Sequence, residues 1–254
     1  MHDQIKENRV QTVFKRYELK YLLTTEQKET VLDVLQQYMK LDRYGRTTIR
    51  NLYYDTDNYL LVRRSIEKPA YKEKLRIRSY SRVMPESPVF VELKKKYAGV
   101  VYKRRLALPD REAMAWLSGE KYSGRPTQIS DEIDYFAKLY GTLCPKVFLS
   151  YEREAYYLGD GSDFRVTFDD TILCRQEDLS LASEAYGTPV LPEGMVLMEI
   201  KCSGGIPLWM TTVLSKEKIY KTAFSKYGTA YKKLIFPQIH RMSKHISSEV
   251  ITGA

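Results

Sequence analysis

The sequence predicts an α+β fold, a closed eight-stranded antiparallel β-barrel with helices packed on its outside. Three observations lead there. Lys72-Glu-Lys-Leu-Arg-Ile-Arg78 alternates so that Lys72, Lys74, Arg76 and Arg78 share one face of a strand, while Glu73, Leu75 and Ile77 share the other. The same division, one apolar face and one face of Lys and Arg with an occasional Glu, recurs in most of the candidate strands. Segments between them carry the three-and-four spacing of amphipathic helices. If the charged faces turn inward, the apolar faces need those helices as cover, and the interior becomes a cationic tunnel with a few carboxylates.

A chain of 254 residues, 43% of them hydrophobic, holds enough apolar material for one large domain, assigned to 13–236 between tails at 1–12 and 237–254. Its net charge of +9 calls for an anionic partner such as a phosphate compound, a nucleic acid or a membrane surface. Cys144, Cys174 and Cys202 form neither a disulfide framework nor a zinc spacing, so a cytoplasmic location is expected. No stretch has the apolar length of a membrane span, and the N-terminus is too polar for a signal peptide. His2, His240 and His245 fall near the ends, which argues against histidine catalysis or a histidine metal site.

In chain order, Val13–Leu23 alternates Phe14, Arg16, Glu18 and Lys20 against Lys15, Tyr17, Leu19 and Tyr21, a strand with a charged face. Thr24 with Gln27 makes a capping box for a helix over 24–42, whose stripe is Val31, Leu32, Val34, Leu35, Tyr38 and Met39. Strands follow at 47–54 and 72–78, with residues 59–65 unassigned. The runs 89–97 and 100–108 flank Ala98-Gly99 as a hairpin. If Tyr97 pairs with Val100, Lys94 lies opposite Lys103 and Glu92 opposite Arg105, all on one face. Like charges placed so cost stability unless an anion sits between them. Asp110–Ser118 and Ser130–Tyr140 read as helices capped by Asp110 and Ser130. Strands at 146–157, 164–170 and 196–202 put Tyr151 with Arg153, Arg165 with Thr167 and Asp169, and Leu197 with Glu199 and Lys201. Residues 176–194 read as a surface loop, 206–214 as a short helix, and 218–234 as a final helix carrying Lys221 and Lys226, weakened by Gly228.

Taken together, Phe14-Lys-Arg-Tyr-Glu-Leu-Lys-Tyr-Leu-Leu23, Leu52-Tyr-Tyr-Asp55, Leu75-Arg-Ile-Arg78, Val91-Glu-Leu-Lys94, Ser150-Tyr-Glu-Arg-Glu-Ala155, Phe164-Arg-Val-Thr-Phe-Asp169, Met198-Glu-Ile-Lys201 and Phe224-Ser-Lys-Tyr227 resemble the VTC domain. That is the polyphosphate polymerase domain of the vacuolar transporter chaperone family, within the CYTH-like triphosphate tunnel metalloenzymes. The resemblance implies that Lys20, Arg76, Arg78, Lys94, Arg153, Arg165, Lys201 and Lys226 bind phosphate, and that Glu199 is the chief metal-binding carboxylate. Alternation and register add Lys74, Lys103 and Arg105 to the substrate-binding set, and the final helix adds Lys221. Glu18 and Glu92 join Glu199 as candidate ligands of Mn²⁺ or Mg²⁺, and either could instead serve as a base for water. Arg76, Arg78, Arg153, Lys201 and Lys226 are the expected catalytic cations, since phosphoryl transfer needs mostly alignment and charge neutralisation.

The expected activity is polyphosphate synthesis from the γ-phosphate of ATP. The alternatives are hydrolysis of tripolyphosphate or nucleoside triphosphate, and a noncatalytic polyanion-binding module. ATP and polyphosphate or triphosphate are the expected partners. Nucleic acid is not, because the 21 tyrosines equally suit half-buried strand positions.

Overall fold

The computed structural model of the chain describes residues 17–98 and 100–241. Val13, Phe14, Lys15 and Arg16 of the first predicted strand, the hairpin glycine Gly99, the predicted tail at 1–12 and the part of the predicted 237–254 tail from 242 onward lie outside them. Its centre is one antiparallel sheet with the strand order β1-β10-β8-β7-β3-β4-β5-β6. These strands are β1 (Tyr17–Thr24), β3 (Thr47–Asp55), β4 (Tyr71–Ser79), β5 (Pro88–Tyr97), β6 (Val100–Pro109), β7 (Cys144–Leu158), β8 (Arg165–Arg175) and β10 (Met195–Cys202). Two short additions, β2 (Met39–Leu41) and β9 (Thr188–Pro189), pair with β7 and β8, which brings the sheet to ten strands.

The sheet is not a closed barrel. Among the described residues its order ends at β1 and β6, which do not pair, so the predicted closure is wrong. The reason lies on the outer edge of β1. Tyr21 bridges to Lys221, and Thr222 donates its backbone N–H to the Lys20 carbonyl at 2.7 Å. Residues 221–222 thus occupy the edge that closure would need. The sheet nonetheless curls strongly, because Glu18 on β1 reaches Lys94 on β5 at 3.3 Å although the two strands lie near opposite ends of the order.

Helices cover the outer face as period-2 patterning requires. The helix α1 (Thr25–Leu35) starts at the predicted Thr24–Gln27 capping box. It stops seven residues short of the predicted end, since Met39–Leu41 pairs with Tyr156–Leu158 instead of continuing the helix. With α5 (Leu208–Lys216) it packs on Leu23, Val166, Phe168, Met198 and Ile200. The helices α3 (Asp110–Leu117) and α4 (Gln128–Tyr140) bring Trp116, Ile133 and Phe136 against Leu75, Ile77, Val91 and Leu93. Their caps differ from expectation: Pro109 precedes α3 without a side-chain cap, and Thr127 caps α4 with Ser130 completing the box. The unassigned segment after β3 forms α2 (Leu60–Ile66).

A third apolar cluster lies on the inner face. Ile49, Tyr53, Val147, Leu149, Ile172 and Leu197 point the same way as the cations and are covered by α2, by α6 (Lys226–Ala230) and by the π-helical turn Tyr231–Ile235. The inner face is therefore a cationic trough plugged at one end by aromatic and aliphatic side chains. The predicted final helix over 218–234 begins only at Lys226. Residues before it run beside β1, with Lys218 at φ 53°, and Ser225 caps the helix by accepting from Gly228 N–H. A Cβ at Gly228 would stand 3.2 Å from the Ser225 Oγ, so glycine serves the cap here. The helical path continues through 236–241, past the predicted boundary at Pro237. Among the described residues, no helix is long and apolar enough to cross a membrane.

Candidate functional site: a cationic trough with two anionic centres

Cross-strand register builds the first centre. Lys20 lies opposite Glu199, Lys201 opposite Glu18, and Arg153 opposite Asp169. Glu199, with its side chain 7% exposed, has Lys201 and Lys226 Nζ at 3.3 Å, Lys20 Nζ at 3.4 Å and an Arg153 amino group at 3.7 Å. Asp169 is fully buried, accepts two bonds from Arg153 at 2.6 and 2.7 Å, and also holds Lys226. Glu18 pairs with Lys20 and Lys94, each at 3.3 Å.

The second centre is Glu92 on β5, 1% exposed. Arg76 donates to it at 2.7 and 2.9 Å, while Lys103 stands at 2.6 Å, Arg105 at 3.1 Å and Arg78 at 3.9 Å. The hairpin register is the predicted one, with Lys94 opposite Lys103 and Glu92 opposite Arg105. Tyrosines and an asparagine fix the arginine forks: Tyr53 Oη accepts from Arg76 at 2.9 Å, Asn51 Oδ1 and Tyr151 Oη from Arg78 at 2.9 and 3.1 Å. Tyr151 joins the two centres, because Lys226 Nζ also sits 4.5 Å from its ring centroid.

The charges shift one another. Burial works against ionised Glu199, but Lys226, Lys201, Lys20 and Arg153 outweigh it and hold the carboxyl well below its usual range. Burial opposes ionised Glu18 too, and Lys94, Lys20 and Lys201 bring it down to about 2. Burial, reinforced by the cations Lys20, Lys94, Lys72 and Arg76, lowers Lys74 to about 7. Among the described residues Lys74 has no carboxylate partner and donates to Ser225 Oγ at 3.0 Å. Tyr151 resists ionisation through burial, yet Arg153, Arg78 and Lys226 bring it to about 8.

Of the residues singled out in the sequence, Lys20, Arg76, Arg78, Lys94, Lys103, Arg105, Arg153, Lys201, Lys226, Glu18, Glu92 and Glu199 meet in these two centres, and Lys74 faces them. Arg165 lies opposite Lys201 on the same face but is exposed at the trough's rim. Lys221 does not join, because its backbone bridges β1 and its side chain is exposed. Asp169 was missed as a site residue, although its alternation with Arg165 and Thr167 was visible. Nothing local marks Asn51, and Tyr53 and Ser225 stand out only as members of the segments Leu52-Tyr-Tyr-Asp55 and Phe224-Ser-Lys-Tyr227; the roles of all three arise from pairing between distant strands and helices.

The carboxylates can be tested against the implied divalent ion. Glu18 and Glu199 approach the same Lys20 ammonium at 3.3 and 3.4 Å, so they already share one cation position, and both stay ionised. Among the described residues no three acidic, histidine or cysteine side chains converge. One or two carboxylates with phosphate oxygens and water satisfy Mg²⁺ or Mn²⁺, so this donor set fits. Glu92 is instead enclosed by arginine and lysine donors.

The family model of the VTC domain matches residues 15–235. Among solved structures, a proposed adenylate cyclase of Bacillus halodurans aligns with a TM-score of 0.51 at 19% identity, covering 82% of this chain and 92% of that one. A proposed adenylyl cyclase of Hippeastrum, described as having a dominant triphosphatase activity, aligns at 0.48 and 17% identity over 85% and 94% of the two chains. The first shows a shared fold. No curated protein matches. With the match spanning nearly the whole described chain, the protein belongs to the VTC domain family.

Proposed function

We propose that the trough transfers the terminal phosphoryl group of ATP to a polyphosphate end, with Glu199 and Glu18 holding a divalent metal. The observation that carries this reading is a buried face on which Lys and Arg far outnumber carboxylates, yet one carboxylate, Glu199, is kept ionised by four cations. A module that only bound anions would gain from losing that negative charge. Glu199 and Glu18 would hold the ion, which would supply positive charge to offset the charge of the phosphate and the leaving group. Arg76 and Arg78, fixed by Tyr53, Asn51 and Tyr151, present planar forks to phosphate oxygens, whereas Lys20, Lys74, Lys94 and Lys201 act as point charges that tolerate several registers of a phosphate chain. Glu18 is paired with Lys20 and Lys94, and Glu92 is enclosed by Arg76, Lys103 and Arg105, so neither stands free to deprotonate water, which favours an already ionised acceptor. Incubation with ATP and Mn²⁺ or Mg²⁺, with gel staining for polyphosphate beside a free-phosphate assay, tests the reading. A ladder of polymer is expected; phosphate without polymer would mean hydrolysis, and neither product would mean a binding module.

Geometry separates two kinds of cation on neighbouring strands. Lys95 and Arg104 lie on the outer face, where both pair with Glu132 of α4 at 3.3 and 3.1 Å. Arg76→Ala and Arg78→Ala are each expected to weaken tripolyphosphate binding by about ten- to a hundredfold, the worth of a charge-assisted bond of about 1.5–3 kcal/mol. Lys95→Ala and Arg104→Ala should change it little. Calorimetric titration of the four variants decides, and equal losses in all four would remove the trough as the binding site.

A further inference from the structure

Asp55 lies at the end of β3 on the same face as Asn51 and Tyr53, yet none of the cations of the trough pairs with it among the described residues. Its carboxylate is fully buried and taken up by backbone and phenol donors. Thr56 and Leu61 N–H donate to Oδ1 at 2.8 and 2.9 Å, Val62 N–H and Tyr227 Oη to Oδ2 at 3.0 Å each. One side chain thus ties β3, the first turn of α2 and α6 together. Tyr227 directly follows Lys226, the residue that holds Glu199 and Asp169. Its ring stacks on Tyr53 at 4.7 Å, and Tyr53 in turn holds Arg76. Burial and the Asp55 carboxylate push the Tyr227 phenol well above its usual range, so it stays a donor.

We propose that Asp55 is a positioning residue which, by accepting from Tyr227, sets α6 so that Lys226, and through Tyr53 the Arg76 fork, stand where the trough meets phosphate. The idea rests on the reading of the trough as a phosphate site, but its central claim concerns where Lys226 sits and can be read without any phosphate. It links two segments distant in sequence, Leu52-Tyr-Tyr-Asp55 and Phe224-Ser-Lys-Tyr227. Both end on a member of one hydrogen bond.

The test is Tyr227→Phe, which removes the hydroxyl and keeps the ring stacked on Tyr53, with Asp55→Asn as a second variant. Tyr59→Phe is the control, since Tyr59 belongs to the same apolar cluster but its hydroxyl accepts from Gln176 instead. Acetylation of lysines by a limiting amine reagent, followed residue by residue by mass spectrometry, reads the accessibility of Lys226, with the exposed Lys221 as internal standard. Tyr227→Phe and Asp55→Asn are expected to raise the Lys226 rate roughly three- to tenfold and to weaken tripolyphosphate binding by a similar factor. Tyr59→Phe should do neither, even if its melting temperature falls as far. An unchanged Lys226 rate in folded Tyr227→Phe, or an equal rise in Tyr59→Phe, overturns the proposal. If the unaltered protein binds no tripolyphosphate, the phosphate reading fails and the labelling rates still decide the role of Asp55.

Discussion

Glu199→Gln is expected to reduce metal-dependent turnover by about a hundredfold or more while tripolyphosphate binds, without metal, at least as tightly as before. The amide keeps the shape of the side chain and removes the charge that would hold a divalent ion beside Glu18. Four cations converge on Glu199, so the loss also leaves them less neutralised and the trough more attractive to a polyanion. The two effects run in opposite directions. A purely structural role for Glu199 would lower both activity and binding together. Measuring kcat over a range of Mn²⁺ alongside a metal-free calorimetric titration separates the cases, and undiminished turnover in the variant would remove Glu199 from the proposed metal site.

Asp169→Ala is expected to cost about 3 to 5 kcal/mol of stability, because it strips Arg153 of a two-point partner inside the protein and leaves Lys226 with Glu199 alone. The pH dependence of stability gives a second reading. Burial disfavours the Asp169 carboxylate, but Arg153 and Lys226 outweigh burial and lower its pKa below 3.8 in the folded protein. A group whose folded pKa is depressed contributes stability that is fully present above its unfolded pKa and is lost as pH falls below it. Asp169→Ala should therefore unfold at lower urea at pH 7 and lose less than the unaltered protein when the pH is taken from 5 towards 2. A shift in the urea midpoint that is small and independent of pH would show that Arg153 and Lys226 are satisfied without Asp169.

Much of the site was legible from period-2 alternation. The faces of β4, the register of the β5–β6 hairpin and the capping box of α1 all follow from neighbours in sequence, and the structure keeps them. Arg76 and Arg78 sit on the face predicted for them, and Lys95 and Arg104 on the other. The final helix shows the limit. Lys218–Ser225 has helix-compatible residues, but the free edge of β1 claims Lys221 and Thr222, and a hydrogen-bonded edge overrides weak local propensity.

The sequence by itself determined which residues share a face, because side-chain direction in a strand is set by the two-residue repeat and needs no knowledge of what lies across the sheet. It could not say which charge meets which. A row of cations on β4 looks self-repelling in sequence, yet in the fold Glu92 from β5 neutralises Arg76 and reaches Arg78, and Tyr53, Asn51 and Tyr151 hold both forks. Asp169 and Glu199 come to share Lys226 only because α6 returns from the far end of the chain, and Glu18 meets Lys94 only because the sheet curls. Among the described residues that curl does not close, and residues 221–222 lie on the edge of β1 that closure would need. Pairings of this kind depend on distances between residues far apart in sequence, and charge energies fall or rise with those distances and with burial, so only the tertiary structure decides them.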